Sequence, residues 1–189
     1  MRFIFTLFLF CSCVIFTGCG DEFLEDPAMT AQINGRAFTA CTNLEGSKIP
    51  TPTLPKNNLE VTYDAGNGRL VIRGTDSCND SIKSLHLDIW DVRGTGSYLL
   101  QQQSTLYYNL DNTPGSGAGS NGALQYLGRH PANTPGIFST GPQHTGTFTV
   151  TAFDLGQRRF SANFELDVYS AFSGKVIQIR EGRLNNVSF

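Results

Sequence analysis

Along most of this chain, apolar and polar residues alternate one by one, and beyond Pro27 no window of helical length repeats apolar residues every three or four positions. Period two is the signature of half-buried strands. The clearest run is near the C-terminus, where Phe160, Ala162, Phe164, Leu166 and Val168 point one way and Ser161, Asn163, Glu165, Asp167 and Tyr169 the other. Leu59, Val61 and Tyr63 alternate with Glu60 and Thr62; after a turn at Asp64 to Gly68 the chain returns through Arg69 to Gly74. Leu85, Leu87 and Ile89 alternate with His86, Asp88 and Trp90. Thr30 to Asn34 and Arg36 to Cys41 flank Asn34-Gly35, a two-residue hairpin signal. Gly96 to Gln102 with Thr105 to Leu110 reads as a further pair, and Thr145 to Asp154 leads through Leu155-Gly156-Gln157 into the long run. The chain ends in two expected strands, Lys175 to Glu181 and Leu184 to Phe189, with Gly182 as a bulge or bend. The fold expected is all-β, an antiparallel β-sandwich or partly closed barrel of about ten strands.

Two stretches break the pattern. Glu45 to Asn58 carries Pro50, Pro52 and Pro55 and reads as extended loop, and Asp111 to Gly122, "DNTPGSGAGSNG", reads as flexible loop. The second contains G-x-G-x-x-G at Gly117, Gly119 and Gly122. That spacing holds a dinucleotide only between a strand and a helix, and no long helix follows, so no cofactor is expected. Composition agrees: 20 glycines in 189 residues and only 16% charged residues suit strands and turns. A formal net charge of -2 gives no basic excess to grip nucleic acid.

The N-terminus departs from all of this. Met1 and Arg2 precede a run from Phe3 to Phe16 interrupted only by Thr6 and Ser12. As a helix that run spans about 21 Å, short of the roughly 30 Å hydrocarbon core of a bilayer. A positive start, a short apolar run and small residues at its end describe a secretory signal. The small residues are Thr17 and Gly18, and Cys19 follows. A metal site at Cys11, Cys13 and Cys19 would need ligand pairs at loop spacing, which an apolar run does not offer.

"FTGC", Phe16 to Cys19, resembles the lipobox of bacterial lipoproteins, with Phe16 where that family usually has an aliphatic residue. The resemblance implies that Cys19 receives a diacylglycerol and becomes the first residue after cleavage. It implies a signal peptide at 1–18, an acidic tether at 19–28 and one domain at 29–189. Asp21-Glu22 is similar to the acidic export signal of Bacteroidota surface lipoproteins, which implies the outer membrane and its outer side. "MTAQINGRAFTA", "LVIRGTD", "GTFTVTAFD" and "GKVIQIREGRLNNVSF" resemble the small β-rich Bacteroidota lipoproteins with a domain of unknown function, over most of residues 28–189. That family implies an exported, lipid-anchored β-domain and brings no catalytic residues.

Candidate chemistry is sparse. Cys41 and Cys78 are the two thiols left beyond the signal, and in an oxidising envelope they suggest a disulfide. His86, Asp88 and Trp90 share one strand face and form the candidate ligand face, of the kind that would hold a glycan. Asp76, Asn79 and Asp80 lie in a turn but lack the pattern of a calcium loop. Asp80-Ser81-Ile82 is similar to an O-glycosylation acceptor of Bacteroidota. Glu165 and Asp167 read as the wet side of their strand, and His130 and His144 as loop residues without a third metal ligand. No catalytic constellation and no metal site is expected. The expected role is non-catalytic, binding or structural, with the membrane as partner through Cys19. A glycan, or an envelope protein pairing with a sheet edge, is the further partner considered.

Cells fed a fatty-acid analogue should incorporate it into this chain and not into the Cys19→Ala variant. Label of equal strength on both would refute the anchor.

Overall fold

The computed structural model describes residues 28–41, 58–78, 81–106, 119–127 and 136–189, and every element among them is a strand. The expected signal peptide and Cys19 lie outside the described residues, as do Asn79, Asp80 and His130. The strands are β1 (Met29–Ile33), β2 (Arg36–Thr39), β3 (Leu59–Asp64), β4 (Arg69–Asp76), β5 (Ile82–Ile89), β6 (Gly96–Leu100), β7 (Asn121–Leu127), β8 (Ile137–Ser139), β9 (Gly146–Asp154), β10 (Arg159–Ser170) and β11 (Lys175–Ser188). They form one antiparallel sheet in the order β2-β1-β11-β10-β8-β7-β5-β4-β3, curled into a half-barrel.

Strand β10 is the spine. One edge pairs with β11 along its whole length. The other edge pairs first with β9, from Arg159 to Leu166, and then with β8 at Tyr169. Strands β8 and β9 therefore lie end to end on the same edge, and the sheet forks there. One branch continues from β8 through β7, β5 and β4 to β3; the other is β9 with β6.

The alternation of β10 is obeyed throughout. Phe160, Ala162, Phe164, Leu166 and Val168 are all buried, while Asn163 and Glu165 are exposed. They pack in the curl with Phe148 of β9, Phe38 of β2, Leu70 and Ile72 of β4, Leu85, Leu87 and Ile89 of β5, and Leu124 of β7. A second aromatic group, Tyr63, Phe153 and Phe189, closes one end, with ring centroids 5.0 to 5.6 Å apart. The Asn34-Gly35 hairpin takes positive φ at both central residues (48° and 73°), the geometry that matches strand twist.

Strand β11 differs from the sequence expectation. It is one strand of 14 residues rather than two. Its buried residues, Ile177, Ile179, Leu184 and Val187, do not keep period two. Two register shifts against β10 absorb the mismatch, and Glu181 and Asn186, at φ 53° and 47°, lie within them. The bulge thus falls at Glu181. Gly182 serves close packing instead. It sits opposite Phe164, and a Cβ there would overlap the Phe164 ring and carbonyl.

The curl is also stitched where β2 ends. Cys41 N–H donates to Thr75 O and Ser77 N–H to Cys41 O, each at 3.0 Å, a short parallel bridge between Cys41 and Asp76. At the same place Met29 fills the space that a side chain on Gly74 would need. Three further expectations change. The tail of the expected loop, from Asn121, begins strand β7; Ile137–Ser139 forms strand β8; and Thr105 and Leu106 form a turn, with 107–110 outside the described residues.

Gly182→Ala should destabilise the fold by roughly 1–3 kcal/mol, because the added methyl must displace Phe164. Gly94→Ala is the control, since nothing lies within 4 Å of its Cβ position. Urea unfolding with equal midpoints for the two variants would contradict the packing described.

Candidate functional site

Three places among the described residues bear on function. The first is the stitch. Cys41 and Cys78 lie with their sulfurs 2.11 Å apart and Cα atoms 6.0 Å apart, at disulfide-bonding distance. Asp76 is fully buried beside them, and its Oδ1 accepts the Cys78 N–H at 3.2 Å. Ligand atoms of Cys41, Asp76 and Cys78 lie within 4.8 Å of one another, and sulfurs joined in a disulfide would not serve as metal ligands.

The second is the face of β4 and β5 that carries His86, Asp88 and Trp90. The three do share a face; its arginines, Asp88 and His86 are paired with one another, while the buried Trp90 Nε1–H has no hydrogen-bond partner among the described residues. Arg69 clamps Asp88 through two hydrogen bonds, Nε to Oδ1 at 2.9 Å and Nη2 to Oδ2 at 2.8 Å. The same guanidinium lies 4.9 Å from the centroid of the Trp90 ring. Arg73 Nε donates to His86 Nε2 at 2.8 Å. That bond needs the imidazole lone pair, so the ring must be neutral. Burial, and then the charge of Arg73, lower the His86 pKa to about 4. What remains open is a dent of about 160 Å³ lined by Glu60, Thr62, Val71, Arg73 and His86.

The third lies at the fork and was not singled out by the sequence. Between β8 and β9 the chain leaves the sheet as Gly141-Pro142-Gln143-His144. Two backbone hydrogen bonds between Gly141 and His144, 2.8 and 3.1 Å, close the turn. A proline after the first residue suits such a turn. The His144 ring stacks on Tyr169 of β10, with centroids 4.9 Å apart and planes 17° from parallel. Beside this pair opens a cavity of about 270 Å³, lined also by Gln103, Ser139, Thr140, Gly141, Pro142 and Gln143.

The floor of that cleft is rigid. Thr140 Oγ1 donates to Gln102 O at 2.7 Å and accepts Gly122 N–H at 2.9 Å. Ser139 Oγ accepts Ser104 N–H at 2.8 Å and donates to Thr140 O at 3.0 Å. Both residues are buried, and together they tie the segment after β6 to β7 and β8. The walls differ from the floor. Among the described residues, none makes a side-chain hydrogen bond with Gln103, Gln143, His144 or Tyr169.

Glu165 is exposed on the outer face of β10, and Asp167 on the same face is held by Arg180 Nη2 at 2.5 Å. The two acids do not converge on either cavity. No protein-family model, curated protein or solved structure matches this chain.

The His86 arrangement has a pH consequence. An unfolded histidine titrates near 6.5, so as pH falls from about 6.5 to about 4 the unfolded chain takes up a proton that the folded site refuses. Stability from this group is whole above that window and is lost within it, by roughly 3 kcal/mol. His86→Gln keeps an acceptor for Arg73 and should flatten this part of the profile. Urea midpoints that fall equally steeply for wild type and His86→Gln between pH 6.5 and 4 would count against the pairing.

Proposed function

We propose that this chain is a lipid-anchored lipoprotein of the bacterial cell envelope, held at the outer membrane through Cys19, whose β-domain has a non-catalytic binding role. The observation that carries the reading is the boundary at Phe16 to Cys19: an apolar run too short to span a bilayer, then two small residues, then cysteine. Two acyl signals on one residue give stable anchoring, at about 0.8 kcal/mol for each buried CH₂. Asp21-Glu22 directs the domain to the cell surface in this reading. A covalent Cys41–Cys78 bridge belongs to the same reading, because an oxidising compartment preserves it. It would tie β2 to the end of β4 and contribute roughly 4 kcal/mol by chain entropy.

The cleft at the fork supports a binding role, since its floor is hydrogen-bonded in place and its walls carry polar groups that no other described residue engages. One observation favours a second reading, an assembly role through a sheet edge. Among the described strands β6 pairs only with β9, and its Leu99 is 52% exposed.

After cell lysis the chain should sediment with membranes and stay there through high-salt washing. Cys19→Ala should move it to the soluble fraction with an unchanged urea midpoint. Persistence of Cys19→Ala in the washed membrane pellet would overturn the anchored reading.

A further inference from the structure

We infer that the cleft at the fork of the sheet binds a neutral saccharide, seating one sugar ring against the His144–Tyr169 pair. The inference rests on the binding role proposed above and on no part of its membrane anchor.

Charge narrows the ligand first. The cleft is lined by Gln103, Ser139, Thr140, Gly141, Pro142, Gln143, His144 and Tyr169, with no Asp, Glu, Lys or Arg among them. Phosphate, sulfate or carboxylate recognition relies on charge-assisted hydrogen bonds, most often from arginine. An ammonium ligand would want a carboxylate. Neither partner is present among the described lining residues, whereas on the β4–β5 face Arg69 is paired with Asp88 and Arg73 with His86.

Hydrogen-bonding capacity narrows it further. Two amides, a phenol and an imidazole supply both donors and acceptors. An apolar ligand would strip water from all four and return nothing, a cost of about 1–3 kcal/mol for each group left unpaired in protein. A ligand dense in hydroxyls, each donor and acceptor at once, matches them. Ser139 and Thr140 add no demand, because their hydroxyls are already bonded in the floor.

The rings select shape. In the stacked pair each ring covers one face of the other, so a ligand meets an outer ring face at the edge of the cleft. One face of a pyranose is a patch of weakly positive C–H groups, complementary to the negative face of an aromatic ring. A nucleobase would stack as well, but its phosphate finds no cation among the described lining residues. At about 270 Å³ the cavity is smaller than sites that engulf drug-sized ligands, about 300–1,000 Å³. It fits one unit of a glycan, held from one side. The closed Gly141–His144 turn and the Thr140 hydrogen bonds fix the site in advance, which keeps the cost of ordering small.

The test applies the detergent-solubilised full chain to an array of neutral hexose and N-acetylhexosamine oligosaccharides beside sialylated and sulfated counterparts. The best neutral glycan then goes to calorimetry. Wild type should prefer neutral glycans. Tyr169→Ala should weaken binding at least about tenfold and Tyr169→Phe less than about threefold, because stacking outweighs the hydroxyl. Gln143 is exposed in the turn, so Gln143→Ala leaves folding intact and should still cost about threefold. Gln157→Ala, in the β9–β10 turn, should change nothing. Urea midpoints establish that each variant is folded. The inference fails if folded wild type binds no neutral glycan or prefers the charged ones. It fails equally if Gln143→Ala and Tyr169→Ala bind as wild type does. A chain that sediments with membranes yet ignores neutral glycans would overturn this ligand class and leave the anchor standing; glycan binding by a chain that does not sediment would do the reverse.

Discussion

The fold depends on the burial of one face of β10. Five apolar side chains, from Phe160 to Val168, take strict alternate positions over a strand of 12 residues, and all five are buried. A slip of one residue would turn this whole set to water, so the register of β10 is strongly fixed. Its two edges then organise the molecule. Strand β11 must follow it closely on one side, and does so only by bulging twice. On the other side two strands share the edge, and the gap between them is where the sheet forks. The cleft follows from that fork: Tyr169 is the last outward residue of β10 to find a partner in β8, and the turn that joins β8 to β9 brings His144 onto it.

Polar chemistry divides the surface into two kinds. On the β4–β5 face, arginines meet their partners within the protein: Asp88 and Trp90 for Arg69, His86 for Arg73. Such groups hold strands together and have little left for a ligand. At the fork, the described residues of the cleft lining include no Asp, Glu, Lys or Arg, and their wall side chains make no hydrogen bond with one another or with other described residues, around a bonded floor. This contrast moves attention from the only tryptophan to a tyrosine and a histidine that looked, in the sequence, like a wet strand face and a loop.

Much of the architecture was legible because its strands have one wet face. The outward and inward residues of β10, the β3–β4 pair and the hairpin at Asn34-Gly35 can be read directly. Strand β7 could not be read, because Asn121, Gly122, Ala123 and Leu124 are buried whichever way they point. A strand buried on both faces loses its alternation, and Asn and Gly suggest a turn. Strand β8, with three residues, is too short to show a period. In β11 the bulges at Glu181 and Asn186 shift the parity of the buried residues, so one strand reads as two.

Consecutive residues are enough to specify the all-β class, the inward face of the longest strand, and the change from apolar run to cysteine at Cys19. Each of these is a local property, set by neighbours one or two positions apart. Long-range packing alone settles which strand edges meet, that Cys41 lies beside Cys78, and that Gln103, Gln143, His144 and Tyr169 share a cleft. Those meetings come from the curl and fork of one sheet, which bring together residues dozens of positions apart. No pattern of period two carries that information, because it fixes the face of each residue and not the neighbour of each strand.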